Sequence, residues 1–358
     1  STDMILANSY NGTNADSVVC GGNHTAVLLN TGKVLTCGRN NKGQLGNSAN
    51  YNTDNANSLL DEISDENFNK NLLFKSGSDY FSAYTNSLDA SRNFVNKHNI
   101  VSAVEQGISA ITNTGRVYSW GYNGWGSSGT GIVGPHLSYP KEIANVNGYN
   151  GRNAISICSG DLHKLLLLNT GKVLTCGSAG AGRQGRGIEN AGSNNGPQYV
   201  FSEVKHSGGY DGTNVIQISC GEAHNALLLN TGKVLTFGYN NYKQCGNHTT
   251  EGSGIYEPKE ILHGAGYDGT NAIMVNCGKE FTLVLLNTGK VIGFGRNTYG
   301  TLGNDTNIGT STGVETPVAV YTKNDSFNLF KAYNRRYSST ISSTRTDTQY
   351  NYSYILSD

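Results

Sequence analysis

Histidine side chains recur at one fixed position in this chain, and histidine is a residue type that often binds metals or transfers protons in catalysis. His24, His163 and His224 each stand three residues after a glycine. A general base needs a particular neighbour to position it, whereas a histidine repeated in this way is typical of one structural hydrogen bond made once per repeat. We therefore expect structural histidines and no catalytic residue.

Two other segments have the spacing of ligand-binding motifs. Residues 180–185 (GAGRQG) match the Gly-x-Gly-x-x-Gly dinucleotide pattern. No helix is predicted after them, so no helix N-terminus would face a pyrophosphate. Residues 305–309 resemble the start of a calcium loop but lack the closing glutamate. We expect no cofactor and no metal at either segment.

A ten-residue unit positions all of these residues. It is Leu29–Gly38 (LNTGKVLTCG), it returns at Leu168–Gly177 and Leu229–Gly238, and looser copies begin at Thr112 and Leu286. An apolar run, an Asn-Thr-Gly turn and a second short run predict a β-hairpin. A further run lies upstream, and a Gly-rich loop with a fourth run lies downstream. Each unit thus predicts four strands, named a, b, c and d in chain order.

The spacing of the units indicates the fold. Consecutive turn asparagines are 56 to 61 residues apart, at Asn113, Asn169, Asn230 and Asn287. Four short strands in such a repeat are typical of a propeller blade. The Gly38–Gly46 loop (GRNNKGQLG), the Cys220–His224 run (CGEAH) and the Gly-Lys-Val strand resemble the repeats of the regulator of chromosome condensation family. That resemblance covers nearly the whole chain and implies a seven-bladed β-propeller.

We therefore predict an all-β fold, a seven-bladed propeller of four-stranded antiparallel blades in a single domain, residues 1–358. Blade 2, whose first strands would span 72–85, is degenerate. Residues 3–9 match a strand d without its own a, b and c, and they should complete the last blade with residues 328–358. Such closure removes an exposed sheet edge. The other blades begin near Asp16, Ile100, Ala154, Val215 and Ala272.

Charge and composition limit the classes of partner. The 358 residues include 26 basic and 26 acidic ones, for a formal net charge of +0. A nucleic-acid binder needs a basic surface, so the sequence argues against a nucleic-acid partner. No apolar stretch is long enough to span a membrane, and no signal peptide is visible after Ser1. The compartment stays open between the cytoplasm and a virion or extracellular location.

The cysteines predict free thiols. Cys20, Cys220 and Cys277 share one repeat position, and Cys37 and Cys176 share another. Strands are spaced about 4.8 Å apart, so Cys20 and Cys37 would lie roughly 9–10 Å apart, too far for a disulfide. No Cys-x-x-Cys pair indicates zinc. We expect these five residues to be buried, unpaired thiols.

The loops divide into two faces. In a meander, the a–b and c–d loops share one face, here the c–d face, and the b–c turns and d–a connectors share the other, the b–c face. The b–c face repeats Asn-Thr-Gly turns and Tyr-(Asn/Asp)-Gly connectors, which is typical of structure. The c–d face varies and carries residue types that anchor protein interfaces, although some rings could pack on a neighbouring blade. The candidate partner-binding residues are Arg39, Lys42, Tyr122, Trp125, Tyr239, Tyr242, Arg296 and Tyr299.

The favoured function is a non-enzymatic interaction module that binds a protein partner through the c–d face. A structural subunit of a virion, filament or surface assembly, which would self-assemble, is one alternative. The family resemblance implies another, a guanine-nucleotide exchange factor-like regulator of a small GTPase.

Overall fold

Separate antiparallel sheets of four strands make up the fold. The computed structural model describes residues 10–11, 13–47, 56–63, 101–104, 107–112, 114–187, 198–247 and 254–320. Within these ranges the chain forms five sheets, and each sheet pairs its strands in chain order. This confirms the all-β fold class and the four-stranded blade. The described residues include no helix that is long and apolar enough to cross a membrane.

The blades keep the numbers given above, and their strands are numbered along the chain. Blade 1 has β1 (Ala15–Cys20), β2 (His24–Leu29), β3 (Val34–Arg39) and β4 (Ala56–Glu62). Blade 3 has β5 (Val101–Val104), β6 (Gly107–Ile111), β7 (Val117–Tyr122) and β8 (His136–Glu142). Blade 4 has β9 (Ala154–Ser159), β10 (His163–Leu168), β11 (Val173–Gly177) and β12 (Gln198–Glu203). Blade 5 has β13 (Val215–Cys220), β14 (His224–Leu229), β15 (Val234–Tyr239) and β16 (Gly254–Glu260). Blade 6 has β17 (Ala272–Cys277), β18 (Phe281–Leu286), β19 (Val291–Gly295) and β20 (Val314–Ala319).

The middle strands form the core. Every residue of β10, β14 and β18 is buried. Such strands have another blade on each face, so both sets of alternating side chains are buried and the sequence is a continuous apolar run. The apolar segment before each Asn-Thr-Gly turn is therefore the centre of its blade.

Neighbouring blades join where an aromatic ring of strand c meets a glycine in the c–d loop of the preceding blade. A Cβ atom at Gly185 would lie 2.7 Å from the ring of Phe237, and one at Gly246 would lie 2.6 Å from the ring of Phe294. Both glycines have left-handed φ values, 61° and 57°. Only glycine fits both the conformation and the close approach.

Blades 1 and 3 make this same contact with each other. The Nε1 atom of Trp120, in strand c of blade 3, donates to the carbonyl of Gln44 at 3.1 Å. A Cβ at Gly46 would lie 2.9 Å from the same nitrogen. The order of the sequence implies a blade between these two, whereas the structure places them in direct contact. The predicted degenerate blade 2 falls on residues 64–100, which lie outside the described residues.

The predicted closure of the last blade also lies outside the described residues, because it depends on residues 3–9 and 328–358. The count of seven blades and the single-domain boundary depend on those segments too and stay predictions. Tyr10 is described, and it packs against Val27, Leu29 and Leu35 of blade 1. Tyr210 packs in the same way on the blade that follows it, so Tyr10 occupies the place of a connector tyrosine in blade 1.

One cysteine prediction is wrong. Cys158 and Cys220 form a disulfide between β9 and β13, with their Cα atoms 5.6 Å apart. Cys158 stands one residue before the repeat position of Cys220, so it points to the opposite face of its strand. The two side chains therefore meet between adjacent blades, a contact that spacing within one blade does not reveal. Cys20, Cys37, Cys176 and Cys277 form no disulfide, as expected, but Cys20 and Cys37 are only half-buried.

Candidate functional site

The c–d loops of blades 1, 3, 5 and 6 share one turn held by an asparagine, whereas blade 4 has Ala179 at that position. Positions in each loop are counted from the glycine that ends the hairpin, so Gly38 is position 1 in blade 1. The Oδ1 atom of Asn40, at position 3, accepts a hydrogen bond from the N–H of Leu45 at 2.9 Å. Asn123, Asn240 and Asn297 make the same bond. The turn holds the side chains at positions 2 and 5 in fixed places.

The c–d loops of blades 3, 4 and 5 are also bonded to the outer strand of the next blade. The N–H of Gly131 donates to the carbonyl of Tyr199 at 2.7 Å, from blade 3 to blade 4. Lys243 of blade 5 pairs with Glu315 of blade 6 at 3.2 Å. These bonds link the c–d loops of blades 3, 4 and 5 to the blades that follow them.

Four of the eight candidate residues form one group, the tyrosine–arginine cluster of Tyr239, Tyr242, Arg296 and Tyr299. The rings of Tyr239 and Tyr242 meet edge to face, with centroids 6.3 Å apart. The guanidinium carbon of Arg296 lies 4.7 Å from the centre of the Tyr242 ring and 5.7 Å from that of Tyr299. Such cation–π stacking joins blades 5 and 6 at the surface.

A carboxylate fixes the arginine of this cluster. Nη1 of Arg296 donates to Glu280 at 2.6 Å, and Nε donates to the hydroxyl of Thr298 at 3.2 Å. Burial acts to lower the pKa of Arg296, but the hydrogen bond and charge of Glu280 outweigh it and raise the pKa above its ordinary value. Arg296 is thus held in place between two rings before any partner arrives.

The candidates of blades 1 and 3 approach each other around His136. The Tyr122 ring lies 5.9 Å from the His136 ring. Burial first, and then the positive charge of Lys42, lower the pKa of His136. Trp125 is exposed, whereas Arg39, at the end of β3, is half-buried. The alternative that rings pack on a neighbouring blade applies to Tyr242, which contacts Arg296 of blade 6, whereas the Tyr122 ring contacts His136 of its own blade.

The sequence reasoning missed three apolar residues of the same face. Ile132, Val133 and Ile308 are exposed, Val133 by 76%. Of the seven exposed large hydrophobic side chains in the described ranges, five lie in the c–d loops of blades 3 and 6, and Trp125 and Tyr299 are the other two of these. The sequence could have indicated these residues, because aliphatic side chains next to glycines in a long surface loop have no core to pack into.

The repeated histidines connect blades. Nε2 of His163 pairs with Oδ1 of Asn225 in blade 5 at 2.8 Å, and Nε2 of His224 pairs with the hydroxyl of Thr282 in blade 6 at 3.0 Å. All three histidines are buried. The structural interpretation is correct, but the rings of His163 and His224 bond to the next blade and not within their own turns.

Whether a repeated histidine makes this hydrogen bond depends on the residue opposite it in the next blade, as His24 shows. The matching position in blade 3 is Ile108, which pairs with Trp120 in the register of that blade. An isoleucine side chain has no polar atom, so the buried His24 ring packs at this joint without the side-chain bond that His163 and His224 make. Burial lowers the pKa of His24 to about 4, so the ring is neutral at physiological pH.

The b–c face repeats the same interactions in each blade. Connector tyrosines accept a hydrogen bond from the first N–H of strand c, each at 2.9 Å, at Tyr149, Tyr210 and Tyr267. In blades 1, 3, 4 and 5, the basic residue just before strand c pairs with an acidic residue of strand d, at Lys33–Glu62, Arg116–Glu142, Lys172–Glu203 and Lys233–Glu260. Groups occupied in this uniform way are structural, as the repetition in the sequence indicated.

The two motif-like segments are parts of c–d loops. Residues Gly180–Gly182 form a short 3₁₀ turn in the blade 4 loop. In the segment that resembles a calcium loop, the N–H of Thr306 donates to Oδ1 of Asn304 at 3.0 Å. Where the structure describes the chain, no three potential metal-binding side chains of His, Cys, Asp or Glu lie together.

Comparison with known proteins identifies the family. A family model described as RCC1-like domain matches residues 4–345. The chain belongs to the RCC1-like domain family. Solved structures with this fold include yeast RCC1 (Prp20) bound to Kap60, with a TM-score of 0.62, 19% identity and coverage of 85% of this chain and 63% of that one. Human WBSCR16 gives a TM-score of 0.61 at 21% identity, with coverage of 85% and 66%. These likenesses confirm the propeller and the resemblance predicted from the repeats.

Curated relatives of this RCC1-like domain are much longer proteins. The chain is 27% identical to the human probable E3 ubiquitin-protein ligase HERC3 over 307 residues, which are 80% of the chain and 28% of HERC3. It is 26% identical to human HERC6 over 78% of the chain and 23% of that protein. The chain thus matches about a quarter of each. An RCC1-like propeller is a repeat domain of the protein-interaction class and is generally non-catalytic.

Proposed function

We propose that this RCC1-like domain is a non-enzymatic interaction module that binds a protein partner through its c–d face. The concentration of exposed apolar side chains in the c–d loops of blades 3 and 6 carries the proposal. Large exposed rings on rigid loops lose little entropy on binding and commonly anchor interfaces. The b–c face offers instead groups that are already paired within each blade.

The tyrosine–arginine cluster supports the same face. Tyr299 is 60% exposed while its ring stays against Arg296. A partner that covers this ring would bury apolar area and meet a preorganised guanidinium, without ordering flexible side chains first. The candidate residues that bear on the proposal most directly are therefore Trp125 and Tyr299, with Tyr239, Tyr242 and Arg296 around the second of them.

Affinity capture with matched variants tests the proposal. The wild-type domain, Trp125→Ala and Tyr299→Ala would each be used to capture proteins from the source cells. The controls are Thr231→Ala and Thr288→Ala, which change exposed residues of the b–c turns. We expect each aromatic variant to bind the captured partner at least about tenfold more weakly, since truncating an anchor removes about 2 kcal/mol. The controls should bind as the wild type does.

Three results would contradict the proposal. Equal capture by all variants would place the contact elsewhere. A multimer of the chain itself would favour a structural subunit, and a small GTPase whose nucleotide release the domain accelerates would favour an exchange factor. A thermal melt on each variant separates lost binding from lost folding, because loop-tip substitutions should leave the melt unchanged.

A further inference from the structure

Asparagine–glycine pairs can lose the side-chain amide of the asparagine in water, without an enzyme. The nitrogen of the glycine attacks the side-chain carbon, and the glycine has no Cβ atom to hinder this approach. Such pairs begin at Asn11, Asn123, Asn147, Asn150 and Asn195. The structure describes both residues of the pairs at Asn123, Asn147 and Asn150. The three carboxamides differ in which atom the fold uses.

Asn123 and Asn147 are held through the nitrogen that deamidation removes. Nδ2 of Asn123 donates to the carbonyl of Ile132 at 2.8 Å, within the c–d loop of blade 3. Nδ2 of Asn147 donates to the carbonyl of Phe201 in blade 4 at 2.7 Å. Loss of either nitrogen would leave a carbonyl without this hydrogen bond, so the fold opposes the reaction at both residues.

Asn150 is held through its oxygen instead. Its side chain is exposed, and Oδ1 accepts a hydrogen bond from the N–H of Arg152 at 2.9 Å. In the described part of the chain, neither Nδ2 of Asn150 nor the N–H of Gly151 makes a hydrogen bond. The attacking nitrogen and the leaving nitrogen are therefore both unbonded, and the Arg152 N–H can stabilise the negative charge that develops on Oδ1.

The connectors of blades 5 and 6 show that an acidic residue fits this position. Asp211 and Asp268 stand where blade 4 has Asn150, and each accepts a hydrogen bond from the N–H two residues later, at 2.8 Å. An aspartate at position 150 would accept the same bond from Arg152. A charged acceptor strengthens such a bond. Deamidation would thus give the blade 4 connector the residue type that blades 5 and 6 already have.

We propose that Asn150 is a deamidation site of the folded domain, with water as the only other reactant. The nitrogen of Gly151 bonds to Cγ of Asn150, the Cγ–Nδ2 bond breaks, and ammonia leaves with the proton of that nitrogen. Water then opens the cyclic imide and returns a proton to the nitrogen. Opening at Cγ gives aspartate, and opening at the backbone carbonyl gives isoaspartate. Either product adds a negative charge to the b–c face and leaves the c–d face unchanged.

Mass spectrometry of the wild-type domain after incubation at mildly alkaline pH compares the three pairs in one sample. We expect Asn150 to deamidate at least about tenfold faster than Asn123 and Asn147 in the folded domain. In urea the three should react at similar rates, because each is then an unfolded asparagine followed by glycine. Asn150→Gln is the matched control, since a glutamine would have to close a larger ring, and it should not form the acidic species.

Asn150→Asp tests whether the fold accepts the product. It should show the same isoelectric point as the deamidated wild type and the same melt as the fresh wild type. Equal rates at the three pairs in the folded domain, the same order of rates in urea, or a clearly lower melt of Asn150→Asp would each overturn the inference. None of these results bears on the proposed function, which the capture experiment with Trp125→Ala and Tyr299→Ala tests separately.

Discussion

Acidification from pH 7 to pH 5 should lower the free energy of unfolding of this RCC1-like domain by about 5 kcal/mol through three histidines. Burial lowers the pKa of His24 to about 4 and the pKa of both His163 and His224 to about 3, from 6.5. The unfolded chain then binds protons that the folded chain excludes. The histidine contribution is fully present above pH 6.5 and is lost as the pH falls towards the folded values.

Urea unfolding at a series of pH values measures this effect. His224→Gln should keep a hydrogen bond to Thr282 and remove about a third of the histidine contribution to the slope between pH 5 and 7. His206→Asn changes an exposed histidine on the b–c face and serves as the control. A slope in His224→Gln equal to that of the wild type would show that the buried ring is not the group that titrates.

Lys164→Met should stabilise the domain by about 2 kcal/mol at pH 7, an unusual result for a change in a core. Lys164 is 2% exposed, and its ammonium donates to the hydroxyls of Ser109 and Ser119 in blade 3, each at 2.6 Å. Burial lowers its pKa from 10.5 to about 8, so folding carries the cost of a desolvated charge at neutral pH. The two serine hydroxyls bond each other at 3.1 Å and stay satisfied without the lysine.

The pH dependence of the unfolding free energy shows whether the charge of Lys164 causes this effect. Because the folded pKa is the lower one, the wild type should gain stability as the pH rises from 8 to 10.5, by about 3 kcal/mol at most. Lys164→Met should lack that gain. Lys290→Met, at an exposed turn, should keep it. A less stable Lys164→Met, with the gain intact, would mean that packing and not charge determines the effect of this residue.

Strands and turns could be predicted from the sequence because they depend on neighbours along the chain. The Asn-Thr-Gly turns place glycine where φ is left-handed, as at Gly171 and Gly232, and the flanking apolar runs form the paired strands. The asparagine at loop position 3 repeats for the same local reason. These features define a blade and the family.

Contacts between blades could not be predicted in the same way. Cys158 meets Cys220 across a separation of 62 residues, and Lys164 pairs with Cys176, which stands where blades 3, 5 and 6 have an aromatic ring. The contact of Trp120 with Gln44 likewise depends on which blades are neighbours. Spacing gives the register within a unit, whereas these pairs depend on the side chains that two units present to each other.

The same distinction, between features set by neighbours along the chain and contacts between blades, applies to the candidate residues. Their place on one face follows from the meander, so that all eight could be chosen from loop positions alone. The stacking of Arg296 between Tyr242 and Tyr299, and its bond to Glu280, require the geometry of adjacent blades.

Hydrogen–deuterium exchange of the domain, with and without the captured partner, tests the assignment of the binding face most directly. We expect slower exchange in the c–d loops of blades 3 to 6, residues 122–135, 178–187, 239–247 and 296–313, and unchanged exchange at the b–c turns. Protection at the b–c turns, with the c–d loops unchanged, would contradict the assignment of the binding face.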